Sequence, residues 1–108
     1  MGKWKIGYTE AKTVSYAASM DAVVKESRTI LSVALTGNGT LNISSDARPF
    51  IGAEIIVKAT SDATARDLTF GTGFTAPTLT GVINKTKVQH FVYDGSAFVP
   101  VATAIQID

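Results

Sequence analysis

The residues with the clearest chemical potential in this chain are its single histidine, His90, and its scattered carboxylates. His90 lies in an alternating segment in which Val88 and Val92 would share its face. A general base needs an orienting partner and a substrate proton within reach, and a catalytic metal site usually needs three protein ligands. No cysteine and no second histidine is present. We therefore interpret His90 as a packed or half-exposed strand residue.

The carboxylates and glycines give no stronger signal for chemistry. Asp46, Asp62, Asp67 and Asp94 lie in or beside segments rich in turn residues, without the dense spacing of a calcium loop. The Gly-Thr-Gly triplet at 71–73 is followed by Phe, Thr, Ala and Pro rather than by the helix that a phosphate cradle needs. We predict no catalytic residue, no cofactor and no metal, and hence a protein that is not an enzyme.

Composition restricts the partners of the chain. Its 108 residues suit one domain, and its net charge of +1 argues against nucleic acid as the main partner. No apolar run approaches the roughly 20 residues that span a bilayer, and no secretory leader is recognisable, so we expect a protein made in the cytoplasm without a membrane partner. Charged residues are only 18% of the chain, below the roughly 25% of ordinary soluble domains. Such a neutral surface suits burial against other subunits.

The segments that carry His90 and the carboxylates, and the segments between them, are short and alternate between apolar and polar residues. The pattern is clearest at 52–60, where Ile55, Val57 and Ala59 share one face. Residues 29–36 and 40–44 are also strand-like, and the intervening Asn38-Gly39 predicts a two-residue hairpin. Turn signals recur at intervals of about 8 to 12 residues, which is typical of all-β domains.

The remaining segments follow the same pattern. In the stretch 67–74, Leu68, Phe70 and Phe74 are predicted to point inward. The stretch HFVYDGSAFVP at 90–100 predicts a hairpin that reverses at Asp94-Gly95, and its Pro100 requires an edge strand or a bulge. The whole predicts an all-β fold: an antiparallel β-sandwich, jelly-roll-like, over residues 29–108.

Residues 1–28 are predicted to form an N-terminal extended arm or docking segment. Within it, residues 15–27 have some helical character and predict at most one short helical turn. Trp4, Ile6 and Tyr8 alternate along one side, and three lysines against one glutamate give the first twelve residues a charge of +2. We predict that these three side chains contribute to a subunit interface.

Two motifs in the C-terminal half resemble a known group of proteins. LTFGTGF at 68–74 and FVYDGSAFV at 91–99 are similar to segments of tailed-bacteriophage virion structural β-domains, and the resemblance covers roughly residues 35 to 105. The resemblance implies a capsid decoration or auxiliary protein, a head-fibre component or a tail protein. Its partners would be other virion proteins, either the major capsid protein or tail subunits. It would be a homo-oligomer in the virion, assembled in the host cytoplasm.

A carbohydrate-binding module of a phage fibre or tail is the alternative. Such modules stack sugars on aromatic side chains that are exposed together on one face. The alternative therefore depends on the exposure of four rings: Trp4, Phe74, Tyr93 and Phe98.

Overall fold

The computed structural model describes residues 9–47 and 49–108, and throughout these residues the fold is all-β. Ten strands are present in this part of the chain: β1 Thr9–Val14, β2 Ser19–Ala22, β3 Arg28–Leu35, β4 Gly39–Ile43, β5 Glu54–Ser61, β6 Asp67–Phe70, β7 Leu79–Thr80, β8 Thr86–Tyr93, β9 Phe98–Pro100 and β10 Ile105–Gln106. They form a first sheet in the order β1-β3-β5-β8-β10, with β9 also paired to β8, and a second sheet in the order β2-β4-β6-β7.

The first six strands alternate between the two sheets. Along the first sheet β1, β3 and β5 run parallel, and along the second sheet β2, β4 and β6 run parallel. Each pair of consecutive strands therefore adds one coil beside the previous coil, as in a β-helix. The strands after β6 pair antiparallel, with β7 against β6 and with β9 and β10 against β8.

The core lies between the two sheets. It combines inward residues of the first sheet, such as Leu31 and Ile55, with inward residues of the second, such as Leu41 and Leu68. Four phenylalanines close the C-terminal half of this core; the ring of Phe91 lies 4.7 Å from Phe70 and 5.0 Å from Phe74, both in edge-on geometry. All-β structure is thus confirmed, and the two facing mixed sheets are consistent with a sandwich.

The antiparallel pairing expected between consecutive strands is wrong for the first half of the chain. Residues 36–39 do not close a hairpin, because β3 and β4 belong to different sheets. The side chain of Asn38 instead accepts a hydrogen bond from the Asp67 amide at 2.9 Å, and its carbonyl accepts one from the Tyr16 hydroxyl at 2.8 Å. Asn38 therefore stabilises the turn by which the chain passes from β3 in the first sheet to β4 in the second. The jelly-roll-like order is not confirmed.

The described part of the predicted N-terminal arm belongs to the folded body. Residues 9–14 and 19–22 are strands of the two sheets, and Met20, Ala22 and Val24 lie in the core. The expected helical turn is wrong, because residues 19–22 form strand β2, along which exposed and buried side chains alternate. On β1, Lys12 lies on the inward side of an edge strand and donates a hydrogen bond to the Val23 carbonyl at 2.8 Å. An inward charge of this kind discourages unwanted strand addition.

The predicted C-terminal hairpin is confirmed. Strands β8 and β9 pair antiparallel, and Gly95 between them has φ of 106°, a value that favours glycine. The Asp94 carboxylate accepts hydrogen bonds from the amides of Ser96 and Ala97 at 2.8 and 2.9 Å. Pro100 is the last residue of β9, an edge strand that pairs with β8, and Phe98 at the other end of β9 also bridges to Phe74. The end of an edge strand is a position where the missing N–H of proline is tolerated.

Candidate functional site: the outer face of the first sheet

The first sheet carries apolar side chains on the face that points away from the core. Strand register aligns Ile30, Ile56 and His90 in one row across β3, β5 and β8. Val88 and Val92 flank His90 on the same face of β8, with Ile105 and Val99 beside them on the edge strands. We call the following apolar set the outer face: Ile30, Ile56, Val88, Val92, Val99, Val101, Ile105 and Ile107.

Several side chains of this set are open to solvent. Val101, Ile105 and Ile107 are 57%, 61% and 55% exposed, and the other members are half-buried. A sheet with one solvated face ordinarily carries polar side chains there. Contiguous exposed apolar surface of several hundred Å² instead marks an interaction site. The outer face is therefore the candidate functional surface of this chain.

An ionic cluster lies at one end of the outer face. Glu54 Oε1 is 2.6 Å from His90 Nε2, and Glu54 Oε2 is 3.5 Å from the Arg28 guanidinium. The hydrogen bond with His90 and the positive charge of Arg28 hold the pKa of Glu54 below its ordinary value. The three side chains are each between 30% and 47% exposed on the outward side of the sheet. The cluster neutralises its own charges and does not form a concave site.

Lys58 is the other charged side chain on this side of β5, and it lies one row beyond Ile56. It is exposed, and it stands two residues after Ile56, as Glu54 stands two residues before it. Farther along, the hydroxyls of Thr60 and Thr86 hydrogen-bond to each other at 2.8 Å across β5 and β8. With Arg28, Ser32, Glu54 and His90, these polar side chains share the outward side of β3, β5 and β8 with the apolar set. The contacts of Glu54 and the threonine pair satisfy part of them within the sheet.

A groove of about 490 Å³ lies between β7 and the segment that runs from the end of β9 through residues 101–104. Its walls include Pro77, Leu79 and Pro100 with the side chain of Lys87. Gln89 also lines it, but this buried amide already donates a hydrogen bond to the Ala102 carbonyl. The groove therefore combines one cation and three threonines, Thr78, Thr80 and Thr103, with apolar side chains.

The carboxylates interpreted as turn formers have that role where their contacts are defined. Asp62 accepts a hydrogen bond from the Thr64 amide at 3.1 Å and pairs with Arg66 at 2.8 Å. These contacts, led by the one with Arg66, lower the pKa of Asp62. The backbone amides of Ala97 and Ser96 lower the pKa of Asp94 in the same way. Within residues 9–47 and 49–108, no group of three or more His, Asp or Glu side chains is placed to hold a metal ion.

Most aromatic side chains of the described residues lie in the core or pack against it. Phe98 is fully buried and Phe74 is 9% exposed, while Tyr93 is half-buried with its ring 5.0 Å from that of Phe98. Among the described residues, Phe50 is the aromatic side chain that is more than half exposed. A stacking platform for a sugar needs several such rings together, so this arrangement does not favour the carbohydrate alternative.

The residues predicted for the subunit interface, Trp4, Ile6 and Tyr8, lie outside the described residues. That prediction stays as it was. The outer face, by contrast, was not predicted. Its signal is the consecutive run Ile55-Ile56-Val57, since a strand with apolar side chains on both faces indicates a sheet covered on both sides.

Comparison with known proteins gives no family. No family model matches the chain, and neither does any curated protein. The described part of the structure contains no helix that could span a membrane.

Proposed function

We propose that this chain is a non-enzymatic structural protein of a tailed-bacteriophage particle, which binds the capsid or tail and stabilises or decorates it. The observation that carries the proposal is the apolar outer face, a surface suited to lasting contact with another protein. The resemblance of residues 68–74 and 91–99 to virion β-domains supports the viral setting. The low content of charged residues, 18%, supports assembly independently.

The proposed mechanism is adhesion through buried apolar area. Val101, Ile105 and Ile107 each leave more than half of their surface in water. Burying the exposed part of each side chain contributes roughly 1 kcal/mol. The charges of Arg28 and Glu54 lie 3.5 Å apart, and this pairing lowers the cost of removing them from water when the surface is covered. Repetition over a symmetric lattice would multiply such a modest contact into stable attachment.

The N-terminal segment provides a second point of contact in this proposal. Trp4, Ile6 and Tyr8 act as anchors, and the lysines around them favour an acidic neighbour on the particle. Deletion of residues 1–8 tests this contribution, because it leaves every described strand in place. We expect the shortened chain to fold as before and to bind particles more weakly. Unchanged particle binding would show that the segment has no such role.

The whole proposal is tested on purified particles from the source of the gene. We expect mass spectrometry to detect the chain at a fixed copy number per particle, and we expect purified chain to cosediment with particles that lack it. Val101→Asp, on the outer face, should reduce cosedimentation, whereas Phe50→Asp, exposed elsewhere, should not. Absence of the chain from the particles, together with no cosedimentation, would overturn the proposed function.

A further inference from the structure

We infer that the outer face of the first sheet is the interface of a two-fold homodimer, in which two copies pack face to face. The inference rests on the proposed function and deepens it by naming a second copy of this chain as the partner at that surface. The N-terminal segments of the two copies then contact the rest of the particle, and Val101→Asp weakens attachment because it separates a bivalent dimer into single chains. The two-fold axis lies in the interface and crosses the strands along the row Ile30, Ile56 and His90. The case rests on the self-complementary order of the side chains on either side of that row.

Such an axis reverses the strand direction but keeps each strand above its own counterpart. A residue that precedes the row by two positions therefore faces the residue that follows it by two positions in the other copy. On β5 this places Glu54 opposite Lys58 of the second copy, and Lys58 opposite its Glu54. Two opposite-charge pairs form, one on each side of Ile56. An isologous interface requires this kind of self-complementarity.

The same rotation matches apolar side chains on the C-terminal half of the sheet. On β8, Val92 faces Val88 of the second copy, because the two valines lie two residues on either side of His90. Next to β8, Val99 pairs with Val92 and Ile105 pairs with Val88, so Val99 faces Ile105 of the second copy. Apolar groups thus meet apolar groups on this half of the sheet. On β3 the rotation places Arg28 opposite Ser32 of the second copy, and Arg28 keeps its contact with Glu54 of its own chain.

The size of the face is close to that of the smallest specific protein interfaces. Strands β3, β5 and β8 are each eight residues long. Strand β1 has six residues, and the edge strands β9 and β10 have three and two. With about 3.3 Å per residue and about 4.8 Å between strands, the face measures roughly 550 Å² per copy. Two copies would bury roughly 1,100 Å², near the lower limit of about 1,200 Å² for specific interfaces. Sheets that pack face to face in this way align within about 30°.

Charge exchange at the central strand tests the interface. Lys58→Glu places like charges opposite each other in both pairs, and Glu54→Lys does the same with the opposite sign. By analytical ultracentrifugation we expect the unaltered chain to be a dimer, and each variant alone to dissociate about tenfold more readily. A mixture of the two variants restores both opposite-charge pairs, so it should form mixed dimers of near-original affinity. Lys25→Glu, exposed in the loop before β3, is the matched control and should leave the dimer unchanged.

Cross-linking tests the position of the axis without relying on the Glu54 variant, which removes contacts with Arg28 and His90 within the chain. The chain has no cysteine, so one introduced thiol reports one position. Ile56→Cys lies about 10 Å from its own copy and should link through a short bis-maleimide, whereas Val92→Cys lies about 17 Å from its copy and should not. Equal linking of both variants would overturn the proposed axis.

The outcome also separates this inference from the proposed function. A chain that is monomeric at all concentrations, a trimer, or a dimer insensitive to Lys58→Glu would overturn the inference. Such a chain could still cosediment with particles, and the proposed function would then stand with a virion protein on this surface. A dimer that behaves as expected but never associates with particles would retain the inference and overturn the function.

Discussion

Asn42 and Gly71 provide the sharpest test of the coiled arrangement of strands. The Asn42 amide donates to Ser19 Oγ at 3.2 Å, and its Oδ1 accepts a hydrogen bond from the Thr72 amide at 2.8 Å. This one side chain therefore links the strand before it in the second sheet with the turn after β6. A methyl group at Gly71 would overlap Asn42 Oδ1, so the asparagine occupies the space that an alanine side chain would need.

The two residues should consequently be coupled in stability. Asn42→Ala removes hydrogen bonds that are partly open to water, at a cost of about 1 kcal/mol. Gly71→Ala displaces the asparagine and crowds the Thr40 methyl, which would lie 2.9 Å from the new Cβ, at a cost of about 2 kcal/mol. In the double variant the displaced side chain is already absent. We expect it to be at least about 1 kcal/mol more stable than the sum of the single effects predicts.

Urea unfolding followed by circular dichroism measures these free energies. Asn42→Ala combined with Gly52→Ala is the control, because a Cβ at Gly52 has no neighbour within 4 Å. That combination should be additive within about 0.5 kcal/mol. If Asn42→Ala and Gly71→Ala were equally additive, the described contact between the strands would be refuted.

Three further perturbations test the core, a turn and the ionic cluster. Phe91→Ala should lower the free energy of unfolding by about 3–5 kcal/mol, whereas Phe50→Ala, at a site 54% exposed, should change it by less than about 0.5 kcal/mol in the same urea titrations. Gly73 and Gly52 both have positive φ. A Cβ at Gly73 would lie 2.6 Å from the Ile43 side chain of β4, whereas a Cβ at Gly52 would have no neighbour within 4 Å. Gly73→Ala should therefore have a melting temperature several degrees lower than Gly52→Ala. Because the pKa of Glu54 is lowered in the folded chain, its ionised carboxylate stabilises the fold at pH values above its ordinary pKa of 4.5. This stabilisation is lost as the pH falls through the folded-state pKa. Glu54→Gln should therefore flatten the decline in unfolding free energy below about pH 4.5. An unchanged decline would contradict the described ionic cluster.

Local alternation was sufficient to identify which side chains enter the core. Ile55, Val57 and Ala59 are buried as predicted, and so are Leu68 and Phe70. These assignments depend only on the two-residue period of a strand, which holds for any pairing partner. The turn at Asp94-Gly95 was predictable for a similar reason, since its hydrogen bonds connect residues within three positions of Asp94.

Strand pairing could not be predicted in the same way. A strand that leads into a hairpin and a strand that leads into a corner between sheets have the same alternation. Asn38-Gly39 is a strong local signal for a hairpin, yet its contacts are with Asp67 and Tyr16, which are distant in sequence. Parallel register between β3 and β5 likewise joins residues 26 positions apart, such as Arg28 and Glu54. No local pattern contains that information.

The sequence of β5 places an isoleucine on the outer face and opposite charges on either side of that isoleucine. Ile55 and Val57 point into the core, so Ile56 between them must lie on the opposite face of the central strand. Its neighbours in the same row are Ile30 and His90, and the charged residues Glu54 and Lys58 stand at equal distances on either side. An isoleucine at that position buries little apolar surface while the strand faces solvent. Within one copy Glu54 contacts Arg28 and His90, and its symmetric placement opposite Lys58 about Ile56 adds nothing to these contacts. Both features gain a physical reason when a second copy covers the sheet, because the isoleucines then bury each other and each charge meets its opposite.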